Sequence, residues 1–302
     1  MMKTVFDRYR EIIPDFSAFQ ESLRQPVPVH FRVNRLKIEP QRLVQRLKAK
    51  GVHLQRVSKK YETLFLAPDL ERPGKLLEYF LGYVHTQALT SCLACIALCP
   101  RPGSYLLDMC ASPGGKTSHL AQLMENTGLI IANEPYPNRH VILNHTLSRM
   151  GVLNTVTAAY RAELFPLKQR YDYILADVPC SGEGTFRMMS QRSNYIERKG
   201  KARLPELQKR ILLRAFDLLK ENGQLIYSTC TYNPDENESV VDYLLNSRDA
   251  ELLSVDLDIQ HEPGLREWEK GAYGREIHRA VRFYPHRLNS VGFFMARIGR
   301  RG

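Results

Sequence analysis

The chain has 302 residues, 43% hydrophobic and 25% charged, an ordinary globular composition that allows one large domain or a main domain with a smaller attachment. Its formal charge of +11, from 43 Lys and Arg against 32 Asp and Glu, points to a polyanionic partner and says nothing of fold. No run approaches the roughly 18 apolar residues of a membrane helix, and the start "MMKTVFDRYREIIPDF" lacks the apolar centre of a signal peptide, so a soluble cytoplasmic protein with no membrane partner is expected.

Residues 1–80 carry 16 Lys and Arg against 9 acids. Within them "HFRVNRLKI" reads as a strand and "QRLVQRLKAKG" as a helix closed by Gly51. "VHLQRV" and "TLFLAP" read as further strands. They form a small N-terminal α/β unit, RRM-like, whose soft boundary near "LERPGKLLEYFLG" leaves residues 81–302 as the main domain. "CLACIALC" looks like a metal triplet. Yet Cys92, Cys95 and Cys99 lie in an apolar stretch with helical spacing and no fourth ligand, so they read as buried core thiols and no metal site is expected. With no secretion signal, disulfides are not expected.

In the main domain "SYLLDMC" is a strand, followed by "ASPGGKT" and the helix "SHLAQLME". "GLIIAN" is the next strand, closed by Glu134, and "NRHVILNHTLSRMG" a helix ending at Gly151. "LNTVTAAY" and "YDYILADV" are the third and fourth strands. "LPELQKRILLRAFDLLKENG" is a long helix with Gly223 at its end. "QLIYSTC" is the fifth strand, and "DENESVVDYLLNS" a helix with acids in its first turn, where the dipole favours them. "AVRFYPH" and "GFFMARI" close the chain as strands. Strands alternating with helices imply a mostly parallel sheet covered on both faces. Residues 187–203, "RMMSQRSNYIERKGKAR", carry six basic residues and one acid. Two basic clusters in one basic chain point to nucleic acid.

In such sheets ligands sit at the carboxyl ends of the strands. Gly114 and Gly115 let backbone approach a ligand, and the following helix start supplies free N–H groups. Glu134, at the end of the second strand, is placed to accept hydrogen bonds from ribose hydroxyls. "GGKT" hints at a phosphate loop, but that motif needs a glycine at position 110, which is Cys110. The dinucleotide pattern is also absent. A nucleoside cofactor without pyrophosphate remains, and S-adenosylmethionine fits.

Asp177 ends the fourth strand with Cys180 three residues on, and Cys230 ends the fifth, so two thiols and an acid share the ligand edge. Carbon 5 of cytosine is too poor a nucleophile to take a methyl group directly. A thiolate adding to carbon 6 makes the ring an enamine, whose carbon 5 can attack a sulfonium methyl. An acid at ring nitrogen 3 helps, and the base must be unstacked or single-stranded.

These residues resemble the NOL/NOP/Sun family of RNA (cytosine-5) methyltransferases over nearly the whole chain. The segments that match are "FRVNRLKI", "YVHTQALTS" with Gln87, "DMCASPGGKT", "ANEPYPNR", "ADVPCSGEGTFR", "YSTCTYNPDENE" and "RFYPHRLNSVGFFMARI". The resemblance implies a class I S-adenosylmethionine-dependent methyltransferase fold, Rossmann-like, acting on ribosomal RNA ahead of transfer RNA, as a monomer. It assigns the attack on the base to Cys230 and product release to Cys180. Asp177 would face cofactor and cytosine, with Lys116 close to the reacting base. Cys110, Ala111, Ser112, Pro113, Gly114, Gly115 and Lys116 would line the methionine end of the cofactor. Glu134, with Arg139 five residues on, would hold the ribose.

Two positions depart from the family pattern. Arg161 stands where an aspartate usually meets the adenine amino group, and arginine cannot accept from an amine. Either Glu163 substitutes or adenine is held differently. Val291 replaces an acid before Gly-Phe-Phe. The family often adds a PUA domain after the catalytic one. With the chain ending at 302, RNA contact is expected from the N-terminal unit, the 187–203 loop and the basic last strands. A methyltransferase for protein or small molecules would need no second cysteine and would carry Asn-Pro-Pro-Tyr. A non-catalytic RNA-binding scaffold on the same fold would be expected to have lost Cys230 or the glycine loop.

Overall fold

A computed structural model describes residues 5–188, 203–269 and 271–301. In the N-terminal sheet, β1 (Val29–Val33) lies between β3 (Leu64–Ala67) and β4 (Val84–Thr86), and β2 (Gln55–Arg56) pairs outside β3. With α2 (Pro40–Lys48) after β1 and α3 (Leu77–Phe80) before β4, the chain order is the split βαβ of RRM-like units. Phe31, Val33, Leu43, Leu47, Phe65 and Val84 form its core. Side chains alternate along a strand, so His30 and Arg32 face the opposite way.

The expected unit of residues 1–80 divides differently. Its sheet closes only at Thr86, because Val84 pairs with Val33, past the expected boundary. The first residues are not in the sheet at all. A short turn at Asp7–Tyr9 and α1 (Phe16–Ser22) place Phe6, Tyr9, Phe16 and Phe19 against Tyr232 and Tyr284 of the main domain.

The main sheet is built from β5 (Tyr105–Asp108), β6 (Leu129–Asn133), β7 (Thr155–Ala158), β8 (Tyr171–Asp177), β9 (Leu219–Thr229), β10 (Ala250–Leu253), β11 (Glu262–Pro263), β14 (Val281–Phe283) and β15 (Phe293–Arg300). A two-stranded hairpin, β12 (Glu267–Trp268) with β13 (Gly271–Ala272), stands apart. The order is β11-β14-β15-β9-β8-β5-β6-β7, with β10 on β15. Strands β5 to β9 run parallel, and β15, β14, β11 and β10 add antiparallel. The closing strands cannot follow the parallel rule because only the four-residue α9 (Pro285–Leu288) and short turns join β14 to β15, too little for a crossover.

Alternation along the strands covers both faces. Leu107, Ile174 and Leu225 pack under α7 (Leu204–Asp217) and α8 (Glu238–Ser247). Their neighbours Leu106, Leu175 and Ile226 pack under α4 (Leu89–Leu98) and α5 (Gly115–Leu123). Helix α6 (Pro137–Met150) ends at Gly151 with φ +72°, as its sequence implies. Helix α7 does not reach Gly223. It stops at Asp217 because Leu218 and Leu219 are fully buried and Leu219 already pairs with Tyr171 across an irregular register. Cys92 and Cys95 are core thiols of α4, and burial pushes Cys92 up to about 12. Cys99 departs from that reading. It is exposed, and ends the helix with φ +48°. Among the described residues no helix is long and apolar enough to cross a membrane.

Candidate active site

The strand order reverses at β5, so the crevice outside the carboxyl ends of β5 and β8 is the natural ligand site. The chain leaves β5 through Met109–Pro113 and turns into α5 at Gly114, whose φ of +100° suits glycine alone. A Cβ there would lie 3.1 Å from both Leu143 and Thr146, so packing around the turn is tight as well. The first N–H groups of α5 have no acceptor within the helix. Cys110, Ala111, Ser112, Pro113, Gly115, Lys116 and Asp177 line one cavity of about 150 Å³, together with His85, Thr86, Gln87 and Ser91.

At the end of β6, Glu134 is 1% exposed. Its carboxylate accepts from the Tyr136 N–H at 3.1 Å and pairs with Arg139 at 3.3 Å. Arg139 also donates to the Ser112 carbonyl at 3.0 Å, so the expected ribose acid and the glycine loop are tied by one guanidinium. Glu134 and Arg139 do not line that cavity themselves, but backbone donors at a helix start with a carboxylate one strand over fit a nucleoside sulfonium.

The reactive corner lies on β8 and β9. Lys116 Nζ donates to Asp177 at 2.7 Å, and the other Asp177 oxygen accepts from the buried Ser228 hydroxyl at 2.7 Å. Burial disfavours the Lys116 charge, but the Asp177 charge and hydrogen bond outweigh it and raise its pKa. The Cys180 and Cys230 sulfurs are 3.3 Å apart. The hydrogen bond from Cys180 lowers the Cys230 pKa and nearby Lys116 adds to this, against burial and Asp177. The same hydrogen bond, burial and the negative charge of Glu236 raise Cys180. The pair therefore shares its proton unequally, and Cys230 is the readier thiolate.

Several residues that hold this corner are not read from the motifs. Glu236 accepts from the Ser181 N–H at 2.8 Å and from Gln208 at 2.9 Å, fixing the turn after Cys180. Glu236 is thus a buried acceptor, whereas Asp235 beside it is half exposed. Glu238, the first residue of that helix, forms a buried ion pair with Arg282. Tyr9 donates to Glu183 at 2.8 Å, and Phe6 and Phe19 pack edge-on against Tyr232 beside the Cys230 turn. Their separations in sequence carry no local pattern. Of the acids in "DENES", Glu238 stands in the first turn of α8 as expected, while Asp235 and Glu236 precede the helix.

Three expected positions stand elsewhere. Arg161 is on the exposed side of the loop after β7, its guanidinium engaged by Glu163, and is not among the residues lining the cavity. Arg187, counted in the basic loop, is 6% exposed and bonded to the carbonyls of Gln25, Pro26 and Ser290, so it is an internal tie. Residues 189–202 of that stretch lie outside the described residues. Val291 is buried, and its carbonyl accepts from Thr90.

A family model described as 16S rRNA methyltransferase RsmB/F matches residues 95–299. A human protein named 28S rRNA (cytosine(4447)-C(5))-methyltransferase is 37% identical over 286 residues, covering 93% of this chain and 35% of the human protein. This chain therefore spans about a third of that relative's length. The tRNA (cytosine(49)-C(5))-methyltransferase of Pyrococcus abyssi is 35% identical over 298 residues, covering 98% of this chain and 95% of that protein. A crystal structure of a methyltransferase homologue from Pyrococcus horikoshii matches with a TM-score of 0.84 at 36% identity, covering 98% of this chain and 94% of that one. The fold is that of the class I S-adenosylmethionine-dependent methyltransferases, and the chain belongs to the 16S rRNA methyltransferase RsmB/F family.

Proposed function

We propose that the protein is an S-adenosylmethionine-dependent RNA methyltransferase that forms 5-methylcytosine, with ribosomal RNA as its first substrate, in the cytoplasm. The observation that carries the reading is the thiol pair, 3.3 Å apart at adjacent strand ends beside the Lys116–Asp177 ion pair. When bound, S-adenosylmethionine would supply an electrophilic methyl group. Cys110 to Lys116 would hold its amino-acid end, and Glu134, braced by Arg139, its ribose. The Cys230 thiolate adds to carbon 6 of cytosine, forming a carbon–sulfur bond and moving electron density to carbon 5. Asp177 and Lys116 hold a proton at ring nitrogen 3 as that density shifts. After the methyl transfer the carbon 5 proton leaves, the carbon–sulfur bond breaks, and Cys180, already hydrogen-bonded to Cys230, assists that release.

The family model is named for ribosomal RNA and so is the human relative, which favours that substrate. Transfer RNA is the second reading, favoured by the name of the Pyrococcus abyssi relative. Bisulfite sequencing of total RNA from cells with and without the gene tests both. Loss of one methylated ribosomal cytosine is expected. Loss confined to transfer RNA would move the substrate, and no loss in either would refute the activity.

A further inference from the structure

We infer that His85 is a cofactor-binding residue, whose Nε2–H donates to the carboxylate at the amino-acid end of S-adenosylmethionine over the first turn of α5. The inference rests on the cofactor reading above and assigns a role to a side chain from the N-terminal sheet, outside the glycine loop.

His85 lies in β4, paired in register with Arg32 of β1. Arg149 of α6 has its Nη2 2.9 Å from Nδ1. A guanidinium stays charged and has no acceptor, so Nδ1 accepts and the ring proton sits on Nε2. Nε2 points at the glycine turn: a Cβ built on Gly115 would lie 3.0 Å from it. His85 also lines the same cavity as Ser112, Gly115, Lys116 and Asp177. The charged and titratable groups around it are Arg32 on β1, Arg149 on α6, Lys116 and His119 on α5, and Cys110 and Asp177 across the cavity. Burial, with Arg32 and Arg149, keeps the imidazole neutral by holding its pKa down to about 3.

Nε2–H therefore offers a donor beside the open N–H groups at the start of α5, and Thr86, Gln87 and Ser91 line the same cavity. Gln87 is itself oriented, accepting from Arg32 at 3.3 Å and donating to Ser91 at 3.2 Å. Donors converging on a helix N-terminus suit an anionic oxygen. The anion supplied by the cofactor at this loop is its carboxylate. A phosphate of bound RNA offers the same chemistry, and the test separates the two.

A glutamine amide nitrogen reaches where imidazole Nε2 lies, and an asparagine amide ends near Nδ1. Calorimetric titration with S-adenosylhomocysteine should find His85→Gln within about threefold of wild type and His85→Asn weaker by about tenfold, the scale of one hydrogen bond to a charged group. 5′-Methylthioadenosine, which lacks the amino-acid end, should bind all three proteins alike. Unchanged S-adenosylhomocysteine affinity in His85→Asn overturns the inference. So does an equal loss for 5′-methylthioadenosine, which marks a structural role, or a loss confined to RNA binding, which gives the donor to a phosphate. Failure of the wild type to bind S-adenosylhomocysteine would instead refute the cofactor reading.

Discussion

A thiol beside a second thiol is either donor or acceptor, and the surroundings decide which. The hydrogen bond from Cys180, with Lys116, favours charge on Cys230 against burial and Asp177, while the same bond, burial and Glu236 disfavour it on Cys180. Cys230→Ala should therefore abolish 5-methylcytosine formation while leaving S-adenosylhomocysteine affinity within about twofold, by activity assay and calorimetry. Burial, with the Asp177 charge adding to it, raises the pKa of Asp108 to about 6 despite its hydrogen bond from Thr117. A raised carboxyl holds its proton more tightly folded than unfolded, so its contribution is present at low pH and is lost as pH rises from about 4 to about 6. Urea titrations should show that component in the wild type and not in Asp108→Asn; equal pH slopes would contradict it. Cys180, Cys230, Lys116 and Asp177 were legible because each sits in a contiguous motif at a strand end. Glu236, Tyr9 and His85 were not, because their partners lie far off in the chain and only the fold brings them together.

At the scale of elements, periodicity located the parallel strands and the glycine turn, and failed where packing overrode it. Leu218 and Leu219 continue the helical pattern of α7, yet Leu219 is drawn into the sheet by Tyr171. The turn after Cys180 shows a similar override. Gly184 lies so close to the start of β15 that an added Cβ would be 2.1 Å from the Gly292 carbonyl. Backbone on both sides cannot yield cheaply, so Gly184→Ala should cost about 3 kcal/mol in urea unfolding and reduce methyl transfer. Gly51→Ala meets nothing within 4 Å but keeps φ +76°, and should cost only about 1 kcal/mol. Equal costs would mean that the close approach does not govern the turn.

On the whole molecule, the N-terminal sheet is a wall of the active site. Arg32 is fully buried with no carboxylate partner among the described residues, and reaches Gln122 at 2.6 Å, Ser118 at 2.8 Å and Gln87 at 3.3 Å. The face that would be open in a free RRM-like sheet is thus spent on α5. Burial alone accounts for most of the fall in the Arg32 pKa to about 10. Arg32→Met should leave three polar groups without their donor and lower stability by about 2 kcal/mol in denaturant titration, with no loss if the interface merely tolerates the charge. Of the N-terminal order, β1, α2, β2 and β3 were legible as short periodic segments, while α3 and β4 were not placed. The docking of the sheet was not legible either, because a buried arginine reads in sequence as one more surface charge.

The central claim is the division of labour between the two thiols. Wild type, Cys180→Ala and Cys230→Ala proteins incubated with methyl-labelled S-adenosylmethionine and ribosomal RNA can be separated on a denaturing gel. A labelled protein–RNA band should accumulate with Cys180→Ala and be absent with Cys230→Ala. A band with Cys230→Ala and none with Cys180→Ala would contradict that division and assign the attack to Cys180.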